Sequence, residues 1–241
     1  MRPVADSRKK VLERIRAATA GSASRNGAAT AGKGAEVHVD IPRGYVRRGD
    51  MTVSARHERF VERLREYDAE VVECAPDGLA AAITAVLAAS GRHRFVAPPG
   101  IPAEWYVDAA WKIEGLECTF DHGLETHEIE QAEGVITACF CGVADSGTIV
   151  LHHSASEGRR VLSLLPDWHL CVVRASLVVE TLPEYFDKCR EQGSKGAREQ
   201  AVALPKLVTW ISGPSATADI EMTRIKGVHG PRFLNVILVR D

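Results

Sequence analysis

The feature that most constrains this chain is the alternation, from Ser54 onward, of helix-like blocks with strand-like blocks too apolar to leave one face in water. SARHERFVERLREYDAE (54–70) opens on Ser54 as a helix N-cap and sets Phe60, Val61 and Leu64 on one face, and VVEC follows as a β-branched run. Asp77–Ser90 is an alanine- and leucine-rich helix ending near Gly91, then RFVA (94–97) is a strand. PPGIP is a loop, Pro102 suits the first turn of a helix over Ala103–Trp111, and ECTF (117–120) is the next strand. Further on, WHLCVVRAS (168–176), KLVTWIS (206–212) and FLNVILVR (233–240) are strands, and PEYFDKCREQ (183–192) is a helix. Strands buried on both faces and separated by helices predict an α/β fold, a mostly parallel layered sheet flanked by helices.

Two stretches depart from this alternation. GVITACFCGVADSGTIVLHH (134–153) reads as two strand runs joined by Ala-Asp-Ser-Gly, an antiparallel hairpin with Gly147 free to take a positive φ. At the other end, VADSRKKVLERIRAA (4–18) spaces Val4, Val11, Leu12 and Ile15 as an amphipathic helix, and Thr19–Ala35 carries no large apolar side chain. Residues 1–35 are therefore expected to be a helix and a linker, and residues 36–241 the folded domain.

The chain of 241 residues carries a formal charge of -2, with no basic stripe of the kind that nucleic acid or an anionic membrane surface requires. No run approaches the ~20 apolar residues of a membrane span, and the charged N-terminus precedes an amphipathic rather than an apolar segment, so a cytoplasmic location is expected. Six cysteines lie scattered without a CxxC pair, which argues against a zinc knuckle, a redox dithiol or a housed iron-sulfur cluster. Cys139 and Cys141 share a strand face and suit core packing.

Chemistry is concentrated in GPSATADIEMTRIKGVHGPR (213–232). TADIEMTRIK reads as a helix ending at Gly227, which makes GPSAT a strand-to-helix loop at a strand's carboxyl end, the rim where α/β sheets bind ligands and helix N-termini accept anions. Ser215 or Thr217 as N-cap, with Asp219 and Glu221 complementing the helix dipole, explains the same residues without a ligand. In the hairpin, Asp145, Ser146, Gly147 and Thr148 are turn residues whose polar tip points to a cleft. His152 and His153 alternate along a strand, so only one of them faces a pocket. His122, His127, Glu128 and Glu130 match no metal-ligand spacing, and no metal site is expected. The signatures GxSxG, GxGxxG and Walker A are absent.

Three blocks, GVADSGTIVL (142–151), EGRRVLSLLPDWH (157–169) and the 213–232 stretch, resemble the lactate-utilisation protein C family, the LUD-domain proteins. The resemblance covers residues 50–241 and implies a fold like those of ribose-5-phosphate isomerase and the CoA transferases. It further implies a component of L-lactate oxidation to pyruvate, itself non-redox and without a cofactor, acting with iron-sulfur and cysteine-rich partner subunits. A stand-alone enzyme taking an acyl-CoA, a folate or a phosphorylated sugar is the alternative, and an assembly module a third. Many relatives read Glu-Thr-Gly where this chain has Asp145-Ser146-Gly147, and a basic residue where it has Ala216. On the first reading Asp145, Asp219 or Glu221 serves as base, while Ser146, Thr148, His152, Gly213, Ser215, Thr217 and His229 hold a small carboxylate. The chain's oligomeric state is left open.

Overall fold

The structure is a computed structural model and describes residues 4–20, 44–106, 113–193, 205–218, 224–227 and 229–241. It divides into two units, Met1–Gly44 and Tyr45–Asp241. The first contains helix α1 (Val4–Ala20). From residue 21 the proposed linker lies outside the described residues.

The second unit runs α2 (Val53–Glu66), β1 (Glu70–Cys74), α3 (Leu79–Ser90), β2 (Arg94–Ala97), β3 (Glu117–Phe120), α4 (Thr126–Glu130), β4 (Gly134–Thr137), β5 (Cys141–Val143), β6 (Thr148–Leu151), β7 (Trp168–Arg174), β8 (Val178–Val179), α5 (Leu182–Gly193), β9 (Thr209–Ile211), β10 (Ala216–Ala218), β11 (Arg224–Lys226) and β12 (Phe233–Val239). Six strands form a sheet in the order β1-β12-β7-β4-β2-β3, parallel at every pairing, as the apolar alternation predicts.

Period-two packing explains why its central strands carry no wet face. Leu170 and Val172 of β7, with Ile237 and Val239 of β12, enter a core with Leu79, Ile83 and Leu87 of α3. Their neighbours Cys171, Val173, Leu234, Val236 and Leu238 enter a second core with Phe60, Val61 and Leu64 of α2. Each fully buried leucine, isoleucine or phenylalanine contributes about 1.5–3 kcal/mol. Helix α3 stops where Gly91 takes a left-handed φ of 65°. Helix α2 is capped by Thr52, whose side chain accepts from the Ala55 N–H, and not by Ser54.

A second sheet, in the order β8-β5-β6-β9, lies on the α2 side, and its far face packs Cys141, Val143 and Val150 against Tyr185 and Cys189 of α5. It holds the predicted hairpin, with Cys141 paired to Val150 and Gly147 at φ 59°. Four expectations need correction. The first run of 134–153 is two strands: β4 belongs to the parallel sheet and β5 to the second, because the chain leaves one sheet for the other between Thr137 and Cys141. KLVTWIS contributes only β9, an antiparallel partner of β6 rather than a strand of the parallel sheet. Of the helix expected over Ala103–Trp111, the described part is a 3-10 turn, Ala103–Trp105, and residues 107–112 lie outside the described residues.

The fourth correction concerns TADIEMTRIK. Its two ends are the strands β10 and β11, paired antiparallel with Thr217 opposite Ile225, so no helix starts after GPSAT. β-branched residues at paired positions of a ladder favour the extended conformation over a helix. Ser215 anchors the base of this hairpin: its N–H donates to the Pro231 carbonyl at 2.8 Å and its carbonyl accepts from the Gly227 N–H at 2.9 Å.

Candidate functional site

Two loops that the sequence singles out meet the same end of α2. Gly147 approaches it so closely that a Cβ would lie 2.7 Å from the Arg63 Cβ, and at Gly213, φ 89°, a Cβ would lie 2.6 Å from the Tyr67 carbonyl oxygen. Only glycine fits both the conformation and the contact at these positions. The loops are also joined through hydroxyls, Ser146 Oγ to Thr148 Oγ1 and Thr148 Oγ1 to Ser212 Oγ, each at 2.7 Å.

Beyond Ser212 lies a cavity of 250 Å³, lined by Thr209, Ser212, Gly213, Ser215, His229 and Gly230 and floored by His169 and Leu234. His169 and Leu234 are the second residues of β7 and β12. The cavity therefore opens at the amino ends of these parallel strands, with the GPSAT loop descending onto it from β9. The expected site at the carboxyl rim of a parallel sheet is corrected accordingly, because β9 lies outside that sheet. No aspartate or glutamate lines the cavity among the described residues. A larger hollow of 440 Å³ lies against α3 and β1, but its polar groups are engaged: Asn235 donates to Glu70 at 2.5 Å and Arg92 covers the rings of Trp168 and Phe233.

The hydroxyl of Ser215 accepts the His229 N–H at 3.1 Å. Thr209 Oγ1 lies 2.8 Å from Nε2 of His153, whose Nδ1 lies 2.9 Å from the Gly158 carbonyl. His153 is held at φ 58°, in the left-handed region, by a short loop in which the Gly158 and Glu157 N–H groups both donate to the Ser154 carbonyl. The buried Glu157 carboxylate closes the same loop, accepting the Ser154 hydroxyl at 2.7 Å and the His152 N–H.

Of the two neighbouring histidines it is thus His153 that reaches a cavity residue. The His152 ring stacks on Phe140 at 3.6 Å between centroids and meets the Tyr185 hydroxyl at 2.9 Å, and burial pulls its pKa down to about 4. His169, fully buried and 2.8 Å from the Thr137 hydroxyl, is likewise held neutral, its pKa lowered by burial to about 4.

The structure brings Gly213, Ser215 and His229 to the cavity and leaves Asp145, Ser146, Thr148 and His152 off its walls. Asp145 is exposed at the hairpin tip. Thr217 is in β10, and Asp219 and Glu221 lie outside the described residues. Sequence reasoning passed over Thr209, Ser212 and His169. The available signal was a polar residue inside a strand, which periodicity alone does not separate from a satisfied core group. Among the described residues no group of three or more His, Cys, Asp or Glu is placed to hold a metal ion, and no helix is long and apolar enough to cross a membrane. Burial holds the Cys141 thiol up at about 12, far from a reactive thiolate.

The chain is 37% identical over 182 residues to the lactate utilization protein C of Deinococcus radiodurans, covering 75% of this chain and 78% of that protein. It is 38% identical over 135 residues to the lactate utilization protein C of Bacillus subtilis, where the match spans about half of either chain, 54%. Among solved structures it is similar to a DUF162 family protein from Deinococcus radiodurans, with a TM-score of 0.61 and 31% identity over 79% of this chain and 99% of that one. The LUD domain matches residues 57–239, from within α2 to the end of β12, and the chain belongs to the LUD domain family.

Proposed function

We propose that this chain takes part in L-lactate utilisation as a non-redox component, binding a small carboxylate in the cavity between β9 and the starts of β7 and β12 and acting with iron-sulfur and cysteine-rich partner subunits. The observation that carries the reading is the lining of that cavity. Thr209, Ser212, Ser215 and His229 line it without a carboxylate among the described residues, which suits a small anion. Relatives at 37% and 38% identity bear the name lactate utilization protein C, which supports the metabolic setting. A volume of 250 Å³ falls below the roughly 300–1,000 Å³ of pockets that enclose drug-sized ligands, which favours lactate or pyruvate over an acyl-CoA or a folate.

Titration of the full chain with L-lactate and with pyruvate, followed by calorimetry or by NMR of the histidine rings, tests this directly. Saturable binding of at least one, weakened about tenfold by Ser215→Ala, is the expected result, one hydrogen bond to a charged group being lost. A chain that binds neither acid while binding an acyl-CoA or a folate would overturn the reading. The partner assignment is tested by co-purification with an iron-sulfur protein from cells growing on L-lactate.

A further inference from the structure

The hydrogen bonds around His153 fix which way its neighbour's proton points. A carbonyl oxygen can only accept, so the 2.9 Å contact with Gly158 places a proton on Nδ1. In the neutral imidazole Nε2 is then an acceptor, and the Thr209 hydroxyl, 2.8 Å away, donates to it. With its proton given to the ring, the Thr209 oxygen has only lone pairs to offer the cavity it lines. Ser215 is set the opposite way: its oxygen accepts the His229 N–H, so its own hydroxyl proton remains available to donate. Of these two lining residues Thr209 accepts and Ser215 donates.

We propose that Thr209, oriented by His153, is the residue that sets specificity in this cavity, selecting a small carboxylate bearing a hydroxyl over the corresponding keto acid. The inference rests on the small-carboxylate reading of the cavity. A 2-hydroxy acid supplies what each residue lacks: carboxylate oxygens to accept from Ser215 and a hydroxyl proton for Thr209. A 2-keto acid sets a carbonyl oxygen against the Thr209 lone pairs, and with no proton on either side the polar group is left unpaired. The left-handed φ of 58° at His153 and the bonds within loop 152–158 hold the ring in place, so this arrangement is built before any ligand arrives.

The test compares L-lactate with pyruvate on the full chain and on three variants, by calorimetric titration. Wild type is expected to bind L-lactate about tenfold more tightly than pyruvate, the discrimination of a single hydrogen bond. Thr209→Val keeps the β-branched shape and deletes the acceptor, so L-lactate loses its partner, the mismatch with pyruvate is relieved, and the roughly tenfold preference for L-lactate disappears. Thr209→Ser restores the preference. His153→Asn tolerates the left-handed backbone but removes Nε2, and it reduces the preference through Thr209; it serves in place of Thr209→Val should that variant not fold. Equal binding of the two acids by wild type, or a preference undiminished in Thr209→Val or His153→Asn, overturns this inference and leaves the carboxylate site standing. Binding of neither acid overturns both.

Discussion

His169 shows what a single buried side chain contributes. Its ring lies at the floor of the cavity, 1% exposed and bonded to Thr137, and burial lowers its pKa from 6.5 to about 4. Between those values the unfolded chain binds a proton that the folded chain refuses, so stability is complete above pH 6.5 and falls as the pH drops toward 4. The loss amounts to about 3 kcal/mol over that window. Urea denaturation of wild type and His169→Gln at several pH values measures it: the wild-type curve is expected to fall more steeply between pH 6.5 and 4, and parallel curves would refute the assignment. At this scale the sequence was only half legible. Strand alternation does not govern the His152–His153 doublet, which lies beyond the end of β6 with His153 in the left-handed region, and the partner of His153 is 56 residues away, where nothing local to Thr209 marks it.

Elements explain the rest of the site. Helix α2 is the platform on which the β5–β6 turn and the β9–β10 loop both rest, through Gly147 and Gly213. Gly147→Ala is expected to destabilise the protein by about 1–3 kcal/mol, since it adds a strained φ and a clash with helix backbone. Gly147→Asn separates the two causes. Asparagine tolerates the left-handed conformation, so only relief of strain would rescue it, and an equally low denaturation midpoint for both variants identifies the contact as the cause. Gly147 was legible as a turn glycine, whereas its approach to Arg63 and Leu64 was not, because it depends on packing between distant segments. The 217–226 stretch was misread for a related reason: Thr217 opposite Ile225 decides for a hairpin, while spacing read along one segment cannot see the strand across.

For the molecule as a whole, the parallel sheet with helices on both sides was plain from apolar runs alternating with helical spacing, because burial on two faces leaves its mark along β7 and β12, where six of the seven residues of each strand are buried. The second sheet was not, since β5, β6 and β9 look in isolation like members of the first. Among the described residues every member of the four buried cores lies at or beyond Phe60, so a chain lacking residues 1–43 is expected to keep a cooperative melt with its midpoint within about 2 °C of the parent. A drop of ten degrees would show that the N-terminal unit contributes to the stability of the remainder. The strand order carries a consequence for biosynthesis. Strand β12, made after all the others, is inserted between β1 and β7, and its Asn235 pairs with Glu70, 165 positions earlier. Until β12 is in place the edge strand β1 is separated from the other four strands of its sheet, with two unsatisfied strand edges flanking the gap. The strands already made must therefore wait, with those edges open, until residues 233–239 have cleared the exit tunnel, and shielding by a chaperone would matter most in that interval.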